Sequence, residues 1–87
     1  MRILSVGMDV DIPYDQVIVK IMSNGPGECK LVFESVHGNP VYVCPEKFTR
    51  SEAKNLIRFI MASYGYGRKA FYLGDGISAL RGGQDVD

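Results

Sequence analysis

The sequence predicts a single α+β domain, an antiparallel meander of four or five β-strands with one amphipathic helix packed on one face. Three observations predict it: alternating apolar residues near the start, β-branched segments separated by glycine- and proline-containing turns, and helical periodicity over residues 50–64. The chain has 87 residues, 46% apolar and 23% charged, which suits one folded domain. We assign residues 1–81 to this domain and residues 82–87 to a flexible C-terminal tail.

Four strands are predicted before the helix, over residues 2–12, 17–22, 29–36 and 41–44. The first is expected to bury one face, formed by Leu4, Val6, Met8, Val10 and Ile12. Pro26 and Gly27 suit the two central positions of a type II turn between the second and third strands. A register that pairs Ile21 with Cys29 and Phe33 with Cys44 places one apolar set on the core face of the sheet, namely Val17, Val19, Ile21, Cys29, Leu31, Phe33 and Cys44. The same register separates Cys29 from Cys44 and therefore argues against a disulfide between them.

The other face of this sheet carries apolar residues among its charges. Its apolar members are Ile18, Met22, Val32 and Val43. Apolar side chains on a solvent-facing sheet indicate that something covers them, so this face predicts a further layer, a homodimer or a partner.

The helix is the most clearly marked element, with predicted bounds at residues 50–64. Thr49 and Glu52 fit a capping box, in which the N-cap hydroxyl and the carboxylate three residues later bind free backbone N–H groups. Apolar residues at helical spacing follow, namely Ala53, Leu56, Ile57, Ile60, Met61 and Tyr64. Gly65 is the expected stop signal.

After the helix, the sequence predicts a fifth strand over residues 69–73. Gly74, Asp75 and Gly76 are then expected to form a turn. Residues 77–80 form a short element whose type the sequence leaves open. From Arg81 onward we expect a frayed tail.

Charge is divided unevenly along the chain, although the formal net charge is zero. Residues 1–46 contain three basic and six acidic side chains, whereas residues 47–87 contain seven basic and four acidic ones. Such asymmetry is expected where a basic surface meets an acidic partner, and equally where the two halves of a chain neutralise each other.

The strongest functional signal is a basic column formed by Arg50, Lys54 and Arg58. Their spacing of four residues places them along one side of a helix, where like charges repel by roughly 0.2–0.5 kcal/mol per pair. Such a face suits the acidic side chains of a protein or the phosphates of a nucleic acid. The alternative is a solvated face balanced by acids of the sheet, for example by Glu46 beside Arg50. The predicted partner-binding residues are Lys47, Arg50, Lys54, Arg58, Tyr66, Arg68 and Lys69.

From this face we predict a small non-catalytic interaction module, of accessory or inhibitor type, that binds another protein. The alternative partner is single-stranded nucleic acid, because Tyr64, Tyr66 and Tyr72 interleave with basic residues as base-stacking side chains do. The glycine patterns at residues 65–70 and 74–79 lack the strand–turn–helix context of a dinucleotide-binding motif.

Signals for catalysis, metals and membranes are weak. Cys29, Cys44 and His37 lack the spacing of a zinc site or of a cysteine–histidine nucleophile pair. An enzyme that uses Asp75 or His37 is a third hypothesis, without the paired titratable groups that such a site needs. We therefore predict no enzyme activity, no cofactor and no metal. Apolar runs fall short of about 18 residues, which predicts no membrane partner, and the low cysteine content predicts a cytoplasmic location.

Overall fold

The computed structural model describes residues 1–82 and confirms the α+β class. Its elements in chain order are β1 (Arg2–Leu4), β2 (Asp11–Pro13), β3 (Val17–Ser23), β4 (Cys29–Ser35), β5 (Pro40–Val43), α1 (Arg50–Gly65), β6 (Ala70–Tyr72) and α2 (Leu73–Gly82). Within this range the strands form two three-stranded sheets, ordered β2-β1-β6 and β3-β4-β5. The predicted single meander of four or five strands is therefore wrong, and only β3-β4-β5 is an antiparallel meander.

The segment predicted as one long first strand folds back on itself as β1 and β2. The buried Ser5 hydroxyl donates to Asp9 Oδ1 at 2.9 Å and accepts a hydrogen bond from the Val10 N–H at 3.1 Å. Met8 adopts a positive φ of 60° within this turn. These local bonds satisfy the backbone in a reversal, so the chain does not continue as a strand.

The hairpin changes which residues reach the core. Ile3 pairs with Ile12 across β1 and β2, and both are fully buried. Val6 and Met8, predicted on the buried face, are exposed in the turn instead. The period-two pattern of this segment therefore predicted extended structure correctly at its two ends and wrongly in its middle.

The meander β3-β4-β5 follows the predicted strands, but both registers differ by two residues. Ile21 lies opposite Leu31 rather than Cys29, and the Cys44 N–H donates to the Leu31 carbonyl rather than facing Phe33. The Asn24 N–H donates to the Glu28 carbonyl at 2.9 Å, which closes a shorter loop than predicted and adds ladder bonds.

A shift of two residues leaves every side chain on its predicted face, since the side-chain period of a strand is two. The predicted core residues of the meander that the structure buries are Cys29, Leu31, Phe33 and Cys44. Ile18, Met22 and Val43 are exposed on the other face, as predicted. Val32 lies on that face as well, as predicted, but is buried because its strand is central, between β3 and β5.

Helix α1 confirms the predicted helix and its capping box. Thr49 Oγ1 accepts from the Glu52 N–H at 3.1 Å, and Glu52 Oε1 accepts from the Thr49 N–H at 2.9 Å. Ala53, Leu56 and Ile60 form the buried stripe. Met61 and Tyr64 were predicted to belong to this stripe but are exposed: Met61 borders an open groove between α1 and β3, and the Tyr64 ring packs on the Tyr14 ring.

The helix ends at Gly65, but the residue that terminates it is Gly67. The Gly67 N–H donates to the Tyr64 carbonyl at 3.0 Å and the Arg68 N–H donates to the Ser63 carbonyl at 3.1 Å. These two bonds and the φ of 76° at Gly67 make a Schellman motif, with Gly67 in the left-handed conformation. The predicted stop at Gly65 is therefore two residues too early.

The assignment of the cap to Gly67 predicts opposite effects on stability when Gly65 and Gly67 are each replaced by alanine. We expect Gly67→Ala to lower the free energy of unfolding by about 1 kcal/mol, because a Cβ disfavours the left-handed region. We expect Gly65→Ala to raise it by roughly 0.5–1 kcal/mol, because Gly65 is helical and a Cβ there meets no atom within 4 Å. Urea denaturation of both variants measures the difference; equal effects would contradict the assignment of the cap to Gly67.

The predicted turn at residues 74–76 is instead the first part of α2, which also contains residues 77–80. A Cβ on Gly76 would lie 2.7 Å from Phe71 Cζ and 3.1 Å from Leu56 Cδ1, so glycine allows α2 to pack closely on the core. Strand β6, part of the predicted fifth strand, pairs parallel to β1 rather than joining the meander. The tail expected from Arg81 onward is wrong for Arg81 and Gly82, which are the last two residues of α2, and residues 83–87 lie outside the described residues.

The core joins both sheets to both helices in one cluster. Its members come from β1, β2, β4, β6, α1, α2 and the segment between β5 and α1, namely Ile3, Ile12, Leu31, Phe33, Cys44, Phe48, Ala53, Leu56, Ile60, Phe71, Leu73 and Ile77. The outward side of α1 is thereby held rigidly opposite this core.

Candidate functional site

The basic column lies on the outward side of α1. Arg50, Lys54 and Arg58 are exposed, and successive members are about 6 Å apart along the helix axis. Among residues 1–82, no carboxylate oxygen lies within 4.0 Å of their charged groups. Arg58 donates a hydrogen bond to Asn55 Oδ1 at 3.0 Å, a contact that leaves its charge uncompensated.

Arg81 explains why the nearby acids do not neutralise the column. Its Nη1 lies 3.1 Å from Glu46 Oε1, and its Nε lies 3.4 Å from Glu52 Oε2. It also donates to the Lys47 carbonyl, and its guanidinium lies over the Phe48 ring, 5.1 Å from the centroid. Glu46, the acid expected beside Arg50 in the alternative interpretation, is paired with Arg81 instead.

Sequence reasoning missed Arg81, which was predicted to open the tail. Leu73, Ile77 and Leu80 have helical spacing and could have indicated α2, whose last turn holds Arg81. The glycines at 74 and 76 concealed that signal because they suggested a turn.

The other predicted site residues do not join the column. Lys47 lies 3.9 Å from Glu28 as an exposed ion pair, which contributes little energy. Lys69 lies with Met1, Arg2 and Tyr64 beside the end of α1. The seven predicted residues therefore separate into the basic column and surrounding groups with other neighbours.

Tyr66 and Arg68 belong to a groove between α1 and α2, which we call the α1–α2 groove. Tyr66 is 85% exposed, beyond the last turn of α1. The groove has a volume of about 450 Å³ and is lined by Phe59, Ala62, Ser63, Tyr66, Arg68, Ala70, Phe71, Tyr72, Asp75, Gly76 and Ala79. Arg68 and Asp75 do not form an ion pair with each other within the described part of the chain.

No protein-family model, curated protein or solved structure matches this chain. The function is therefore argued from the geometry and charge of the described residues.

The residues considered for catalysis or metal binding lie apart. Cys29 and Cys44 are free and buried, and burial raises the pKa of the Cys44 thiol, which keeps it protonated and weakly nucleophilic. His37 and Asp75 are exposed on separate segments. Residues 1–82 contain no group of three or more His, Cys, Asp or Glu side chains placed to hold a metal ion. Neither helix of that range has the length and apolarity to cross a membrane.

Glu52 connects the capping box to Arg81, and this predicts a pH dependence of stability. The Thr49 N–H and then Arg81 lower the pKa of the Glu52 carboxyl below its ordinary value. A carboxyl whose pKa is lower in the folded than in the unfolded state stabilises the fold when the pH is above its unfolded-state pKa. This stabilisation is lost as the pH falls through the folded-state pKa. We expect Glu52→Gln to reduce the loss of unfolding free energy on acidification, as measured by urea denaturation from neutral to acidic pH. Parallel pH curves for the two proteins would contradict this.

Proposed function

We propose that the protein is a small non-catalytic interaction module that binds an acidic surface of another protein through the basic column. The observation that carries the proposal is the absence, among residues 1–82, of any carboxylate within 4.0 Å of Arg50, Lys54 or Arg58, while Arg81 pairs with Glu46 and Glu52, the two acids closest to Arg50 in sequence. A row of exposed like charges on one helix face costs stability, and a complementary partner offsets that cost.

The rigidity of α1 supports this use. The capping box holds one end of the helix, the Schellman motif holds the other, and Ala53, Leu56 and Ile60 fix its rotation against the core. The three cations are therefore presented at fixed spacing, and binding does not require the backbone to become ordered.

Single-stranded nucleic acid is the second candidate, favoured by the 85% exposure of Tyr66 beside Arg68 in the same groove. The other tyrosines support it less. The Tyr64 ring already packs on the Tyr14 ring at 5.2 Å between centroids. Tyr66 borders the α1–α2 groove instead of the basic column, so stacking and phosphate contacts do not form one track.

Replacement of the column by acids tests the proposal. We expect Arg50→Glu with Lys54→Glu and Arg58→Glu to fold normally and to weaken partner binding by about 100-fold or more, since three contacts at about 1 kcal/mol each are lost. Affinity capture from the native host, with nuclease treatment in parallel, identifies the partner. Titration of that partner against both proteins measures the loss.

Single variants provide the matched control. Lys54→Glu reverses one charge of the column, whereas Lys30→Glu reverses one charge on β4, away from α1. We expect only Lys54→Glu to weaken binding. Equal binding by the triple variant and the wild type would overturn the proposal. A nuclease-sensitive complex that weakens with salt, at a log–log slope near −0.7 per phosphate contact, would replace it with nucleic-acid binding.

A further inference from the structure

Strand β3 forms one edge of its sheet, and its backbone geometry shows which groups face outward. On β4, the Cys29 and Ser35 N–H groups bond on the side away from β3, to Phe48 and Asn39. The backbone N–H and C=O groups of successive residues point to opposite edges of a strand. The backbone groups of Lys30, Val32 and Glu34 therefore face β3. Their partners on β3 are Met22, Lys20 and Ile18.

The intervening residues of β3 therefore direct their N–H and C=O groups to the open edge. These residues are Val17, Val19 and Ile21, and within residues 1–82 none of them has a backbone hydrogen bond on that side. The unpaired edge spans seven residues without a proline or a bulge. Such an edge is complementary to another strand.

A charged side chain such as Lys20 on an edge strand ordinarily disfavours the addition of another strand. Its ammonium is instead drawn back across the sheet, 3.4 Å from Glu34 Oε1 on β4. The charge at the middle of β3 is thus partly compensated within the chain, and the backbone groups of the edge stay accessible to another strand.

We propose that the partner of this edge is β3 of a second copy of the chain, in antiparallel register about a two-fold axis at Lys20. This register pairs Val19 with Ile21 of the other copy through the outward backbone groups, and it overlaps the whole of β3. The two Lys20 residues then lie opposite each other at the axis, each with its ammonium beside Glu34 of its own chain. On the outer face it sets Ile18, 49% exposed, against Met22 of the other copy, 47% exposed. Self-pairing of one surface is the commonest form of closed assembly.

The inner side of the same edge supports the proposal independently. An apolar groove of about 340 Å³, between β3 and α1, is lined by Tyr14, Val17, Val19, Ile57, Ile60 and Met61. Met61 is 57% exposed there. When the second copy pairs with β3, its sheet extends the sheet of the first copy and covers part of this groove. The dimer goes beyond the proposed partner binding and does not depend on it.

Two observations on the wild-type protein test the dimer. We expect sedimentation equilibrium to show a reversible dimer that dissociates on dilution. We expect hydrogen exchange to show the Val19 and Ile21 amides becoming protected as concentration rises, while the Lys20 amide is protected at all concentrations. A monomer at every concentration, or a dimer in which Val19 and Ile21 exchange freely, would overturn the proposal.

Charged variants test the register. Ile18→Glu with Met22→Glu, and Ile18→Lys with Met22→Lys, each place like charges opposite each other across the axis. We expect each variant alone to fold, by circular dichroism, and to raise the dimer Kd by about tenfold or more. An equimolar mixture should restore dimers, since Glu then faces Lys. Retention of the wild-type Kd by both separate variants would overturn the register.

Discussion

Phe33→Ala is expected to lower the free energy of unfolding by about 3–5 kcal/mol, the largest effect of a single substitution that we expect. Phe33 is fully buried on β4, the central strand of its sheet, and its ring lies 6.0 Å from the ring of Tyr42. A domain of this size has a total stability of roughly 4–13 kcal/mol, so the loss is a large part of it. Thermal and urea denaturation should show a decrease in Tm of at least about 12 °C.

Phe59→Ala is the matched control, because it removes the same atoms from a surface position. Phe59 is 38% exposed on α1, at the border of the α1–α2 groove. Its removal leaves no enclosed cavity, and alanine has the better helix propensity. We expect a change within about 1 kcal/mol. Similar losses in the two variants would contradict the central position of Phe33 in the core.

The burial of Phe33 was predictable from the sequence even though its partners were not. The side chains of a strand alternate between faces, so an error of two residues in register keeps Phe33 on the core face. Its neighbours depend on the length of the hairpin loop, which is set by the backbone bond between Asn24 and Glu28. Composition and periodicity do not specify that bond, and the predicted pairing was wrong for this reason.

The helix α1 was predicted almost to the residue because its signals are local. Thr49 and Glu52 lie three residues apart and bind each other's backbone in the structure. Helix α2 was missed because Gly74 and Gly76 suggested a turn and concealed the helical spacing of the apolar residues around them. Gly76 lowers helix propensity in any sequence-based assessment, yet here it allows contact with Phe71 and Leu56. Only the packed structure shows that this contact offsets the poor propensity.

The candidate site likewise has a part that local sequence spacing predicts and a part that depends on the folded structure. The alignment of Arg50, Lys54 and Arg58 follows from helical spacing and was predicted, and the structure places all three on the exposed side of α1. The pairing of Glu46 and Glu52 depends on Arg81, which lies 35 and 29 residues from them in sequence and contacts both in the fold. Sequence spacing cannot specify such a distant ion pair, and Glu46 was therefore expected beside Arg50.

Arg81→Met is expected to affect both stability and partner binding. It removes the contacts of the guanidinium with Glu46, Glu52 and the Lys47 carbonyl, at an expected loss of about 1–3 kcal/mol in unfolding free energy. It also releases two carboxylates at the start of α1. These acids lower the positive potential near Arg50, so the variant should bind its partner more weakly although the basic column is unchanged.

Two comparison variants show whether the loss of stability and of binding is specific to the arginine at position 81. Arg68→Met removes one arginine charge at the α1–α2 groove, where no carboxylate lies within 4.0 Å among residues 1–82, and should leave stability within about 0.5 kcal/mol of wild type. Arg81→Lys keeps the charge but not the forked geometry, so it should lose less stability than Arg81→Met. If Arg81→Met is as stable as the wild type and binds equally well, Arg81 does not hold these acids away from the column. A stable variant with weakened binding would assign its effect to charge alone, because the potential near Arg50 changes even when the fold does not.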